Sequence, residues 1–148
     1  MPWTRTITVY LVDANILLYA VDSSSRQHTI CVEWLESALN GHHRVGLPAQ
    51  SIAAFLRIST PPRVMERPLT APQSWGIAES WLAAPAVWVP TVTARTLTLL
   101  GELMVEGDIT GNLIQDAQLA ALALEHGSTI VTTDTDFARF PVSTLNSL

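Results

Sequence analysis

The chain has no lysine: all eight of its basic residues, among 148, are arginines. That absence excludes every mechanism that needs a lysine nucleophile or a phosphate-binding lysine. Cysteine is nearly missing too. The single Cys31 cannot build an internal disulfide framework, which predicts a reducing, cytoplasmic setting. Positive charge is scarce, eight basic residues against thirteen acidic ones for a net charge of −5. A protein of that sign does not hold nucleic acid by bulk electrostatics, so any such role must rest on metal ions or a local arginine cluster. Long apolar runs are also lacking. Ile16 to Val21 already ends at Asp22, far short of the roughly 18 residues of a membrane span, and no secretory leader pattern is evident. Neither a G-x-S-x-G elbow, nor a glycine-rich phosphate loop, nor H-E-x-x-H occurs.

What remains is 48% hydrophobic and 14% charged, punctuated evenly by glycine and proline. That composition predicts one globular domain over residues 1–148, able to bury roughly two thirds of its unfolded surface. Thr6 to Val12 reads as a buried strand ending at Asp13, followed by a short helix over Asn15 to Ala20. Ser23 to Ser25 offer caps for a helix over Arg26 to Leu39, and Arg44 to Leu47 forms a short strand. Pro48 opens a helix running to Ser59. Thr70 caps Ala71 to Ala83, and Val87 to Val89 makes another strand. Thr93 caps a helix over Ala94 to Glu106 that Gly107 stops, and Leu113 to His126 is stopped by Gly127. Thr129 to Thr132 is a strand, Asp134 to Arg139 a turn, and Val142 to Leu145 a terminal strand. This alternation predicts an α/β domain of three layers, a mainly parallel central sheet with helices on both faces.

Ligands of such sheets gather beyond the carboxyl ends of the strands. Asp13 follows the first strand and Asp134 follows Thr129 to Thr132, so both would face one crevice. Asp116 sits near the start of its helix, four residues after Asn112. Crowded carboxylates need a counterion, and hard oxygen ligands suit Mg²⁺ or Mn²⁺. Such a metal polarises a phosphodiester and activates water, which is how an acidic chain without lysine could cleave one. Taken singly, each acid also has a plainer use: Asp13 and Asp134 as caps, Asp116 on a helix dipole.

Three segments taken together, Leu11-Val-Asp-Ala-Asn-Ile-Leu-Leu-Tyr-Ala20, Gly111-Asn-Leu-Ile-Gln-Asp-Ala-Gln-Leu-Ala-Ala121 and Thr132-Thr-Asp-Thr-Asp-Phe137, resemble the ordered signature motifs of PIN-domain ribonucleases. With Ala-Phe-Leu-Arg-Ile-Ser-Thr in mid-chain, the likeness to VapC-type toxins of bacterial toxin–antitoxin pairs covers nearly the whole chain. The resemblance implies a PIN-like fold, a Mg²⁺ or Mn²⁺ site, endoribonuclease activity and a cognate antitoxin, with a homodimer expected. It assigns Asp13 and Asp116 as metal ligands and Asp134 as a further acid, with Asp136 beside it. Asn15, Asn112 and Thr132 become supporting polar groups. The pattern is broken at one point: a glutamate is expected directly before Phe-Leu-Arg, and Ala54 stands there. No carboxylate elsewhere in Ala49 to Ser59 can replace it, so the chain should be weakly active or silent, whether by natural loss or by a disarming substitution.

Arg57, Arg63 and Arg67 lie close in sequence and could contact RNA phosphates. The helices around Trp75 and Trp81 offer apolar surface to an antitoxin or a second copy. His28, His42, His43 and His126 lack metal spacing and read as ordinary polar positions. Cys31 reads as a buried thiol. Two rival readings stand beside the nuclease. One is a catalytically silent PIN-like module that binds an antitoxin or RNA. The other is a Mg²⁺-dependent phosphatase-like domain, which the missing lysine disfavours.

Overall fold

A computed structural model describes residues 6–62 and 67–145. β1 (Val9–Val12) is central, with β2 (Arg44–Gly46) and β3 (Val87–Trp88) to one side and β4 (Thr129–Val131) and β5 (Ser143–Leu145) to the other. All four pairings are parallel, giving the order β3-β2-β1-β4-β5. This is the expected three-layer α/β arrangement. Because side chains alternate along a strand, Val12, Val45 and Val131 face one way and Leu11 and Ile130 the other. The first set packs beneath α1 (Ala14–Val21), α2 (His28–Leu39), α3 (Ala49–Ser59) and α4 (Ala71–Leu82). The second packs beneath α5 (Ala94–Gly107) and α6 (Leu113–His126). Cys31 is buried in the first core, as expected.

Several ends differ from the sequence reading for identifiable reasons. β1 begins at Val9 rather than Thr6, because the Thr8 N–H donates to His43 Nδ1 at 2.9 Å instead of to a strand neighbour. His43, expected as a simple surface residue, is thus half-buried and holds the sheet margin against Tyr10. α2 starts at His28 without a side-chain cap; the Ser25 hydroxyl accepts instead from the Gln27 N–H inside the preceding turn. α5 runs through Gly107, and Asp108 is the left-handed cap, with φ of 51°. α6 ends as expected on Gly127 in the left-handed region that glycine adopts without strain. Glu125 near that end accepts from the Thr93 and Thr96 hydroxyls, tying α6 to the start of α5. Those two bonds hold the Glu125 carboxyl below its ordinary pKa. Among the described residues no helix is long and apolar enough to cross a membrane.

The chain steps outward from β1 to β3 and then returns to place β4 on β1's other flank. β1 and β4 therefore meet where the winding direction reverses, and the crevice beyond their carboxyl ends is the natural ligand site of such a sheet.

Candidate active site

Asp13 leaves β1 into that crevice and doubles as the N-cap of α1, its Oδ1 accepting from the Ala14 N–H at 2.8 Å. Its Oδ2 accepts from the Thr132 hydroxyl at 2.8 Å, and the same hydroxyl oxygen accepts from the Asp134 N–H at 2.9 Å. One fully buried threonine thus locks the two strand ends together. Asp134 caps the 3-10 turn Thr135–Arg139 by accepting from the Asp136 N–H at 2.8 Å. The plainer capping roles of Asp13 and Asp134 are thus present, in side chains that also line the crevice.

Carboxylate oxygens of Asp116, Asp134 and Asp136 lie within 4.8 Å of one another. Asp13 is not a member of that tight set, although it lines the same cavity of about 490 Å³ with Asp116 and Asp134. The crowding has an electrostatic signature. Burial first, and then the charges of Asp134, Asp13 and Asp136, push the Asp116 carboxyl up to about 6, against a smaller opposing pull from Arg139. Asp13 is raised as well, chiefly by burial and against its two hydrogen bonds. An all-oxygen donor set of this charge density fits a hard divalent cation and no soft one.

Among the other expected site residues, Ala54 does line the cavity, half-buried on α3, and Arg57 lies one turn further along the same wall. Asn15 also lines it, but no hydrogen bond joins Asn15 to Asp13, and its Oδ1 is buried without a partner. Asn112 stands exposed at the head of α6, makes no capping bond and is not part of the cavity wall. Asp136 is exposed and pairs with Arg139 at 3.5 Å. Arg67 is exposed and off the wall, and Arg63 lies outside the described residues. Arg44 is spent elsewhere, over the Trp88 ring at 4.6 Å.

The sequence reading did not include Gln50, Ser51, Gln115 or Gln118, all of which line the cavity. Their only signal was spacing. Gln50 precedes Ala54 by four residues and shares its helix face, whereas Gln115 and Gln118, one residue before and two after Asp116, are merely near it in sequence. The tryptophans also separate. Trp81 is 8% exposed and packs against Phe55 with ring centroids 4.9 Å apart, so it belongs to the core and not to a docking face. Trp75 is 47% exposed and lines a shallow apolar groove of about 230 Å³ with Leu56, Leu82 and Val89.

Residues 10–142 match the family described as the PIN domain. Ribonuclease VapC37 of Mycobacterium tuberculosis is 40% identical over 130 residues, 88% of this chain and 90% of that protein. Ribonuclease VapC33 of the same species is 38% identical over 128 residues, 86% of this chain and 90% of that protein. Among solved structures, VapBC2 from Rickettsia felis bound to a promoter DNA fragment superposes with a TM-score of 0.67 at 20% identity, covering 93% of this chain and 98% of that one. The sarcin-ricin loop cleaving toxin VapC20 of Mycobacterium tuberculosis superposes at 0.66 with 16% identity, covering 87% and 92%. At those identities the structural likeness carries the fold alone.

Proposed function

The chain belongs to the PIN-domain family, with VapC ribonucleases as relatives, and from that premise we propose that it is the endoribonuclease toxin of a toxin–antitoxin pair, working with Mg²⁺ or Mn²⁺. The observation that carries this reading is the set of three carboxylates with oxygens mutually within 4.8 Å, placed where the sheet reverses its winding. Asp116, Asp134 and Asp136 would hold the cation, with Asp13 facing it from the end of β1. Bound there, the cation supplies charge neutralisation and Lewis acidity toward an RNA phosphodiester. The protein's part is positional. Thr132 fixes Asp13 and the Asp134 backbone by two bonds, so neither carboxylate has to be ordered when substrate arrives. Burial and the neighbouring carboxylates raise the Asp116 carboxyl to about 6, and the positive charge of a cation would offset that repulsion and favour its ionised form. Arg57, on the α3 wall, is placed to donate to a phosphate oxygen of the strand.

Ala54 sets the level of activity. It lies on the cavity wall where the family pattern has glutamate, so this chain has one acid fewer around the cation and should be weak or silent. That same residue favours the second reading, a PIN-like module that keeps its partner without cleaving RNA. The residue encoded at position 54 in the genomic locus separates them, and Ala54→Glu tests the nuclease chemistry. Incubated with total RNA, the variant should cut in Mg²⁺ or Mn²⁺ and lose that activity in EDTA or with Asp134→Asn. Cutting that survives excess EDTA, or leaves 2′,3′-cyclic phosphate ends, would refute the metal-dependent mechanism. For the antitoxin, the Trp75 groove is the docking face we favour. For a second copy it is the outer face of α5, where Leu97, Met104 and Val105 are exposed.

A further inference from the structure

Three buried oxygens on the cavity wall have no hydrogen-bond partner: Asn15 Oδ1, Gln50 Oε1 and Ser51 Oγ. Buried polar atoms are almost always paired, and a group of orphans on one wall marks a place where a ligand completes them. Ser51 is 2% exposed in the first turn of α3. Gln50 precedes it, and its Nε2 donates to the Gln115 carbonyl at 3.0 Å, which fixes the amide and leaves Oε1 to accept. Asn15, on α1, lines the same cavity.

The donor inventory narrows the ligand. Two carbonyl oxygens can only accept, whereas a serine hydroxyl donates or accepts. A phosphate oxygen, which only accepts, suits Ser51 and is repelled by the other two. A hydroxyl group suits Ser51 together with one of the two amide oxygens, because it donates once and accepts through its lone pairs. On the α3 side the subsite is uncharged: that helix carries no acid in its first turn, and its basic residue, Arg57, lies in the last.

We propose that Gln50 and Ser51, in the cavity that Asn15 also lines, form the ribose-reading subsite of the active site, where the 2′-hydroxyl of an RNA nucleotide donates to Gln50 Oε1 and accepts from Ser51 Oγ. This rests on the ribonuclease reading and extends it, since the 2′-hydroxyl is the group by which a protein tells RNA from DNA. The orphaned oxygens are then the discriminating element, and the acidic cluster is indifferent to the sugar.

The test is equilibrium binding of fluorescein-labelled ten-nucleotide single strands to the full chain in Ca²⁺, with strand integrity checked on a gel. RNA, DNA of the same sequence and 2′-O-methyl RNA are compared. RNA should bind about 10-fold tighter than DNA, the discrimination expected of one well-paired hydroxyl. 2′-O-methyl RNA should fall to the DNA value or below. Ser51→Ala should erase most of the difference by weakening RNA alone, with no loss of melting temperature, because the removed hydroxyl has no partner to lose. Gln50→Met should do the same and provides a second variant should Ser51→Ala fold poorly. Equal binding of RNA and DNA would overturn the subsite, as would Ser51→Ala weakening both strands alike. So would a fall in Mn²⁺ affinity of Ser51→Ala without nucleic acid, which would give these oxygens to the cation. Failure of the chain to bind either strand would instead overturn the ribonuclease reading beneath it.

Discussion

Asp116→Asn should stabilise the metal-free protein while removing one of the carboxylates proposed to hold the cation. In the fold the Asp116 carboxyl is pushed from 3.8 to about 6, first by burial and then by Asp134, Asp13 and Asp136. Taken at face value, a shift of that size disfavours the ionised form by about 3 kcal/mol. The side chain is only half-buried, and solvent screening brings the expected effect down to about 1 kcal/mol. The sign follows from linkage. The folded carboxyl holds its proton more tightly than the unfolded one. The associated stability is therefore fully present below about pH 3.8 and is lost as the pH rises through about 6. Asparagine does not titrate, so the variant should gain about 1 kcal/mol over the parent at pH 8 in EDTA, with the gain shrinking toward zero as the pH approaches 4. Urea unfolding followed by tryptophan fluorescence reads this directly, and for a chain of this length the melting temperature should rise by about 3 °C. Added Mn²⁺ should reverse the order by stabilising the parent alone. A variant less stable than the parent at pH 8 in EDTA, or a gain that does not change with pH, would refute the electrostatic account of the cluster.

Thr132→Val keeps shape but breaks the bonds to Asp13 and to the Asp134 N–H, so it should cost about 1–3 kcal/mol in urea unfolding. Mn²⁺ titration should show weaker binding as well. Gly46→Ala would place a Cβ 2.8 Å from the Tyr10 carbonyl and 2.5 Å from Leu11 Cδ2, and should cost about 1–3 kcal/mol, read as a lower urea midpoint at unchanged slope. Trp81→Ala should cost about 3–5 kcal/mol, whereas Trp75→Ala should stay near zero yet lower antitoxin affinity in calorimetry; equal losses of stability would erase the core and groove distinction.

The sequence carried the architecture well where local chemistry and tertiary packing agree. Thr70 and Thr93 both cap as their spacing suggested, each in a reciprocal box with the residue three positions on. It misled where two residues compete for one role. Gly107 had the better intrinsic claim to the left-handed position, but Asp108 takes it so that Ile109 can enter the core. Ser25 had a capping side chain that the structure spends one turn earlier. In the site, carboxylates announce themselves because their charge is rarely buried without cause. The amides and the hydroxyl at Gln50, Ser51 and Gln115 do not, since those types are ordinary on any helix surface until the fold encloses them. Asn112 shows the converse: correct spacing from Asp116 does not bring a side chain into the cavity when it sits at the exposed head of the helix.

The bond between Thr132 and Asp13 joins residues 119 positions apart, and β1 has β4 as its direct neighbour. On the ribosome, therefore, Asp13 is made early and waits through most of synthesis for its partner. Loop-closure entropy disfavours such a distant pairing until the intervening helices have compacted the chain. A nascent fragment ending anywhere before Thr132 has neither the threonine lock nor two of the three clustered acids. The order of synthesis itself thus delays assembly of the acidic cluster until nearly the whole polypeptide exists. An enzyme that attacks RNA would be harmless to the message and ribosome producing it, and a truncated product would be inert rather than partly active.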